Sequence, residues 1–462
     1  MDACKKTLYE YFSALADSRP CDRFLFSEEQ SYTVLQAFET TCALAEQFRR
    51  CGIDAGTHVA MSAVRSVDTI LAFFALQFIG AVAVLTDPRD AVSFERFAFK
   101  GHVLTVEGRD ICLDYTARVS AVPVPEDSTL PTIVIFTSGS TGEPKAVRLS
   151  QYNFINNSLD TAYIGGYAPD DINIDIVPIH HVFGLALIFT AVVTGHAIFV
   201  PGSIEADYIA GCIIKYGATR LNGVPSLYLA IAESPLACRI KSLRCGLIGG
   251  APCSREQFIK VEKRLGLTLI PVYGMSECIG ISCGDVHDPV ELRCGSVGRV
   301  YSMNSVKFAD DGEILVRSPA MAAGVADEDG FLHTGDLGYI DKNGYMHVSG
   351  RKKDIIIRNG NNLSAVAIEQ KLLRLPQVRD VCVVGVRDER EGEVPAAAIV
   401  LHAGQNLSRE SICSALIKIE IPKYVGIVAE IPLTSSCKPD KQKVLAKFFG
   451  NSACCDSTIL RL

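Results

Sequence analysis

Short β-branched runs alternate with longer stretches of helical periodicity along most of the chain. The runs HVAMSAV, AVAVL, TIVIF, INIDIVPI, AIFV, RCGLIG, VCVVGV and AAAIV are rich in apolar residues, as strands buried on both faces are. Alternation of this kind predicts an α/β protein with largely parallel buried sheets. Two apolar runs, 69–86 and 182–200, approach the ~20 residues that cross a bilayer. Each is interrupted by glycine (Gly80; Gly184 and Gly195) and by a polar residue (Gln77; His196), and each turns β-branched after the break. That pattern predicts a buried helix feeding a buried strand, not a transmembrane segment. From about residue 296 to 345 the texture changes to short strands punctuated by glycine, predicting a small antiparallel or barrel-like unit. The charged, glycine-led GRKKD at 350–354 fits either a hinge or an exposed turn, and the remainder of the chain is long enough for a compact small domain.

Composition narrows the class. The 462 residues are 48% hydrophobic with a mean hydropathy of +0.22, enough for large cores in roughly three domain-sized units. Disordered, collagen-like and small disulfide-scaffold proteins are excluded. Forty-five Lys and Arg against 52 Asp and Glu leave a net charge of −7, and no basic block could track a phosphate backbone, so no nucleic-acid partner is expected. Seventeen cysteines are scattered from Cys4 to Cys455 without a CxxC pair, which reads as reduced thiols. The opening MDACKKTLYEYFSALADSRP has neither the apolar core nor the cleavage site of a signal peptide. A cytoplasmic enzyme is expected.

The strongest local signal is TIVIFTSGSTGEPK at 132–145. A buried strand ends in Thr137, Ser138, Gly139, Ser140, Thr141 and Gly142, and Lys145 follows. Small residues let backbone N–H groups face a phosphate, hydroxyls add donors, and lysine supplies a charge. It is not a Walker loop, in which Gly-Lys is followed directly by Ser or Thr. The segment resembles the nucleotide-binding loop of the adenylate-forming superfamily, which comprises acyl- and aryl-CoA synthetases, peptide-synthetase adenylation domains and luciferases. Six more segments follow in that superfamily's order: PIHHVFGL (178–185), GGAPCS (249–254), VYGMSE (272–277), LHTGDLGYID (332–341), GRKKDIIIRNG (350–360) and IPLTSSCKPDK (431–441).

The resemblance implies a large N-terminal domain (1–349) of stacked sheets and helices with a small β-barrel-like subdomain. A hinge (350–354) and a small mobile α/β C-terminal domain (355–462) would follow. It places Tyr273, Gly274, Ser276 and Gly250, Ala251, Pro252 at the nucleotide, and Glu277 with Thr141 at a magnesium ion, a hard cation that takes oxygen ligands. Asp336 would accept the ribose hydroxyls and Arg351 would help hold the nucleotide. Lys353 falls at the hinge position and Gly360 where the thiol arm passes. Lys438 would bridge carboxylate and phosphate in the first half-reaction, where charge spreads over the phosphoryl oxygens. His181 matches a residue beside the acyl carboxylate.

Amino-acid-activating relatives carry an aspartate just downstream of that histidine to pair with the α-ammonium, whereas this chain has Val182, Phe183, Gly184 and Leu185. An ammonium left unpaired there would cost several kcal/mol. The expected acyl wall of Val182, Phe183, Leu187, Gly249, Met275 and Ile279 is apolar and suits a fatty or aromatic acid, although an apolar stripe beside a motif is also what a core looks like. The implied protein is an ATP- and Mg²⁺-dependent carboxylic acid–CoA ligase. Two alternatives share the resemblance: a free-standing adenylation enzyme that loads the phosphopantetheine of an acyl carrier protein, and a non-catalytic nucleotide- or acyl-binding relative. Cys437 in place of the usual glycine, Ser276 in place of threonine, Phe331 in place of tryptophan, and Ala365 and Ala367 in place of Pro and Glu leave room for the latter two.

Overall fold

A computed structural model describes residues 3–88, 102–107, 110–115, 128–138, 144–433, 439–450 and 459–461. The chain divides into two compact units, residues 1–250, 259–306 and 316–332 in one, and residues 251–258, 307–315 and 333–462 in the other.

The first unit holds two sheets. In the six-stranded sheet, His58–Ser62, β1 (Val82–Thr86) and β2 (Pro131–Ser138) are adjacent and parallel to one another. β2 then turns back antiparallel into β3 (Pro144–Ser150). The nine-stranded sheet has a parallel centre containing β4 (Ile172–Ile174), β5 (Arg220–Leu221), β6 (Cys245–Ile248) and the start of β7 (Thr268–Met275). β7 returns as the antiparallel β8 (Cys278–Cys283).

Both long apolar runs are a buried helix feeding a strand, and the residues that interrupt them have structural tasks. Helix α1 (Val67–Phe78) starts at Ser66, whose side chain caps the Thr69 amide, satisfying a donor the first turn leaves over. It ends before Gly80, at φ +70°, and leads into β1. Gln77 is buried and exchanges hydrogen bonds with Thr132 (Oγ1 to Oε1 2.7 Å, Nε2 to the carbonyl 3.2 Å), tying α1 to the start of β2. Helix α2 (Gln151–Ile164) packs on α3 (Val182–Thr194), with Phe154 stacked on Phe189 at 4.8 Å. Gly195 ends α3 in the left-handed conformation, which glycine adopts without steric cost. His196, fully buried, bonds Thr194 Oγ1 at 2.6 Å, and burial first, then Arg220, pushes its pKa down to about 3. No helix among the described residues is long and apolar enough to cross a membrane.

INIDIVPI, expected to be one strand, is a strand only over β4. After Ile174 the chain must turn from the sheet into α3, and Pro178 cannot donate to a ladder.

The glycine-punctuated stretch contributes a four-stranded sheet: Ser305–Phe308, Glu313–Arg317, β9 (Leu332–Ile340) and β10 (Met346–Arg351), the last two antiparallel. A 3₁₀ turn, Lys352–Asp354, joins β10 to β11 (Ile355–Arg358). In the second unit β11 and β12 (Asn361–Ser364) form a hairpin, α4 (Ala365–Leu372) follows, and β13 (Val378–Asp388) and β14 (Gly392–Leu401) pair along their length. VCVVGV and AAAIV therefore lie antiparallel, contrary to the largely parallel expectation. Two buried strands joined by a short turn can only form a hairpin, and apolar runs carry no mark of direction. Ile356, Ile368, Val381, Val383 and Ile399 form the core between α4 and this sheet.

Candidate active site

In the first unit the motif residues collect at the carboxyl ends of neighbouring parallel strands, the usual place for ligands in such sheets. Beyond β4 the chain runs through Pro178 to His180 and His181. His181 is the N-cap residue of α3, and the two imidazoles lie 4.3 Å apart. Gly184 lets the helix start so close to its own entry loop: a Cβ there would come within 2.4 Å of the Pro178 carbonyl oxygen. Beyond β6 comes Gly249-Gly250. β6 pairs in register with β7, Ile248 opposite Pro271. A Cβ on Gly249 would sit 2.6 Å from Val272 Cγ2, and Gly250 takes φ +79°, so both glycines are required by close approach and backbone conformation.

Tyr273 and Gly274 lie near the end of β7, which closes at Met275, and Ser276-Glu277 is the two-residue turn into β8. A Cβ on Gly274 would lie 2.0 Å from the Ile279 carbonyl oxygen. The Glu277 carbonyl accepts from the Ala322 amide at 2.9 Å, which fixes the turn while its side chain stays half-buried. A carboxylate on a backbone held this way suits a hard cation.

The phosphate-loop motif is a hairpin. Thr137 pairs with Lys145 across β2 and β3, with Thr137 Oγ1 donating to the Lys145 carbonyl at 3.4 Å and the lysine exposed. Ser138 pairs with Pro144; Gly139, Ser140, Thr141 and Gly142 lie outside the described residues.

Of the expected acyl wall, Val182, Phe183 and Met275 are half-buried. Leu187 and Ile279 are core residues at 2% and 7% exposure, because a helix and a strand turn one face inward whatever motif they carry. Gly249 contributes a packing contact, as described. Asp87, just beyond β1, is a residue that sequence reasoning left out: its Oδ2 lies 3.8 Å from His180 Nε2. Its signal was its place in TDP, directly after a buried parallel strand.

The second unit holds the remaining residues. Ala251 is half-buried and Pro252 exposed, and the motif closes at Ser254, which forms a reciprocal cap with Gln257 at 3.1 Å in each direction. Asp336 and Arg351 face each other across β9 and β10, with Arg351 Nε 2.7 Å from Asp336 Oδ1. Asp336 is buried and Arg351 exposed, so the arginine faces solvent while the carboxylate beneath holds it in place. Lys352 is paired with Asp311 at 2.5 Å and Glu313 at 3.2 Å. Lys353, between them and Asp354, is exposed on the 3₁₀ turn. Asn359 and Gly360, at φ +50° and +76°, form the two-residue turn of the β11–β12 hairpin, for which Asn-Gly is the favoured pair. A Cβ on Gly360 would meet nothing within 4 Å, so here the glycine answers to backbone conformation and not to crowding. Lys438 and Cys437 lie outside the described residues.

These motifs on this fold define an adenylate-forming enzyme. A model of the AMP-binding enzyme family matches residues 12–98 and 92–325, and one of the AMP-binding enzyme C-terminal domain matches 367–438. The chain belongs to the AMP-binding enzyme family. A 2-succinylbenzoate–CoA ligase of Bacillus cereus is 30% identical over 450 residues, spanning 89% of this chain and 92% of that one. The o-succinylbenzoate CoA synthetase of Bacillus subtilis, solved with its acyl-adenylate intermediate, superposes with a TM-score of 0.81 at 23% identity, covering 96% of this chain and 98% of that one. An amide bond synthetase from Marinactinospora thermotolerans superposes with a TM-score of 0.82 at 26% identity, covering 96% and 100%.

Proposed function

We propose that the protein is an ATP-dependent, AMP-forming carboxylic acid–CoA ligase acting on an aromatic acid. The observation that carries this is the convergence of three motifs, at His181, Gly249-Gly250 and Tyr273–Glu277, on the carboxyl ends of β4, β6 and β7. A carboxylate oxygen attacks the α-phosphorus of ATP, the bond to the β-phosphate oxygen breaks, and pyrophosphate leaves. The CoA thiolate then attacks the acyl carbonyl and AMP leaves. In this reading His181 orients the acyl carboxylate, and Val182, Phe183 and Met275, all half-buried, line the acyl group. Tyr273 offers a ring face to adenine, and the Asp336 carboxylate, with Arg351, receives the ribose. Glu277, with Thr141, would hold Mg²⁺, which neutralises the triphosphate. None of the described cysteines is in a disulfide, in keeping with a cytoplasmic enzyme.

The aromatic class is supported by the named substrate of the Bacillus relatives; the half-buried apolar residues suit an aromatic or a fatty acid alike. Pyrophosphate release across aryl (2-succinylbenzoate included), straight-chain fatty and amino acids, with thioester measured with and without CoA, tests it. Turnover with aryl acids and thioester only with CoA is expected. Release confined to fatty acids would reject the aromatic class, thioester only on a loaded carrier protein would favour the carrier-loading alternative, and no release in ATP-binding protein would favour a non-catalytic role.

Lys353 is proposed as the pivot of the C-terminal lobe, 355–462, between the two half-reactions, the N-terminal domain being 1–349 and the hinge 350–354. Proline would fix φ and restrict Lys352. Lys353→Pro is therefore expected to lower thioester formation well below adenylate formation, and equal loss of both would argue against a pivot.

A further inference from the structure

Next to the 3₁₀ turn Lys352–Asp354 lies a group of charges that the reaction just described leaves unused. Lys441 is the first residue of α5 (Lys441–Val444), and its Nζ donates to Asp354 Oδ2 at 2.9 Å. Both side chains are largely buried, at 27% and 20% exposure. Glu369 on α4 faces the same lysine while accepting from the Val383 amide at 2.8 Å. Asp380 and Cys382 on β13 complete the surroundings. Burial pushes the Glu369 carboxyl up to about 7 against the pull of Lys441 and the Val383 amide. The same burial would lower the Lys441 ammonium, but Glu369 and Asp354 outweigh it and raise its pKa. Burial, with Glu369, pushes the Cys382 thiol up to about 12. One cation thus serves two carboxylates from different elements.

α5 also begins three residues after Lys438 in the chain. Leu433 and Pro439 form an antiparallel bridge, and the Asp440 amide donates to the Pro432 carbonyl at 2.8 Å. The Asp440 side chain caps α5 by accepting from the Lys443 amide at 3.0 Å. The two flanks of the segment bearing Lys438 are therefore fastened to each other, and Lys441 fastens them to the turn that carries Lys353.

We propose that Lys441 is a positioning residue for adenylation: its ion pair with Asp354 ties the base of the segment bearing Lys438 to the hinge turn. The inference rests on the role given to Lys438. A charge that must meet a phosphoryl group gains its effect only when held in place, and a displacement near 1 Å can cost on the order of 10²-fold. Without Lys441, Asp354 and Glu369 would face each other with no cation between them, and the base of the segment would lose its anchor.

The test compares Lys441→Met, Lys441→Arg, Asp354→Asn and the double variant Lys441→Met/Asp354→Asn with Lys438→Ala in the full chain. It reads ATP–pyrophosphate exchange, thioester formation from supplied acyl-adenylate, and Tm. Lys441→Met is expected to lower the exchange kcat about tenfold or more with the KM for ATP and the thioester step within about threefold. Lys441→Arg should restore most of the rate, and the double variant should lose no more than Lys441→Met alone. Wild-type exchange in Lys441→Met beside an inactive Lys438→Ala would overturn the inference, as would equal loss of both half-reactions at unchanged Tm. Wild-type exchange in Lys438→Ala would remove the assignment of Lys438, and this inference with it. If Lys441→Met does not fold, Asp354→Asn, which keeps the shape and removes the charge, carries the same test.

Discussion

Lys438→Ala is expected to abolish ATP–pyrophosphate exchange while a supplied acyl-adenylate still gives thioester with CoA. In the first half-reaction negative charge builds on the phosphoryl oxygens as the carboxylate attacks and pyrophosphate departs. A lysine reaching both groups stabilises that state more than the ground state, which is the condition for acceleration. Losing one preorganised charged donor costs on the order of 10²–10³-fold in kcat. The thioester step develops its charge at a carbonyl oxygen and a leaving phosphate after pyrophosphate has gone, so it has no comparable need of this lysine. Quench measurements of each half-reaction, with the KM for ATP followed in parallel, separate the two. Undiminished exchange in folded Lys438→Ala would remove the residue from the mechanism.

The largest stability effect is expected at Arg220, which belongs to none of the motifs. Its side chain is buried at 1% exposure, with Nε 2.7 Å from Asp171 Oδ2, Nη2 donating to the Gly165 carbonyl at 2.9 Å and also to that of Gly166, and its Cζ 3.6 Å from the Tyr167 ring centre. Asp171 also accepts from Thr219 at 2.6 Å and Arg244 at 2.5 Å. This knot joins the end of α2 to the amino ends of β4 and β5, the strands whose carboxyl ends lead to His181 and to the Val224 beside Gly250. Breaking a buried pair costs about 3–5 kcal/mol when the other charge is stranded; here the buried Asp171 keeps the half-exposed Arg244 and Thr219, which places the cost at the lower end of that range. Arg220→Met should therefore lower Tm by about 5–15 °C.

Acid stability supplies the second readout. Burial alone would raise the Asp171 pKa, but Arg220 foremost, with Thr219 and Arg244, brings it down to about 2. A carboxylate depressed in the folded state contributes stability above its unfolded pKa near 4 and loses it as pH falls towards 2. The drop in urea midpoint between pH 5 and pH 3 should be smaller in Arg220→Met than in the wild type. An unchanged Tm and an unchanged acid dependence would show that the pair contributes nothing net.

At the candidate site the ordered motifs and the local backbone were legible in the sequence because they depend on residue type and on a few neighbouring residues. A strand ending in small hydroxyl residues, glycines at φ +79° and +76°, and the Asn-Gly pair at 359–360 are features a few neighbouring residues dictate. The partners of these residues were not legible. Asp336 and Arg351 each had a role assigned separately, yet the register of β9 and β10 sets them against each other at 2.7 Å. Leu187 and Ile279 looked like pocket wall because apolar periodicity marks the face that turns inward without saying whether a core or a ligand waits there.

By itself the sequence determined the buried helices that feed strands, the breaks at Gly80 and Gly195, and the ordered motifs that place the chain in its family. These are local consequences of side-chain size, backbone freedom and hydrogen-bonding groups within a few residues of one another. Only the tertiary structure decided the direction of β13 and β14, the short extent of β4, and the meeting of Arg220 with Asp171 and of Lys441 with Asp354, pairs 49 and 87 residues apart. Such pairings follow from sheet register and from the cost of burying a charge alone, and no local pattern along the chain records which distant partner will meet that cost.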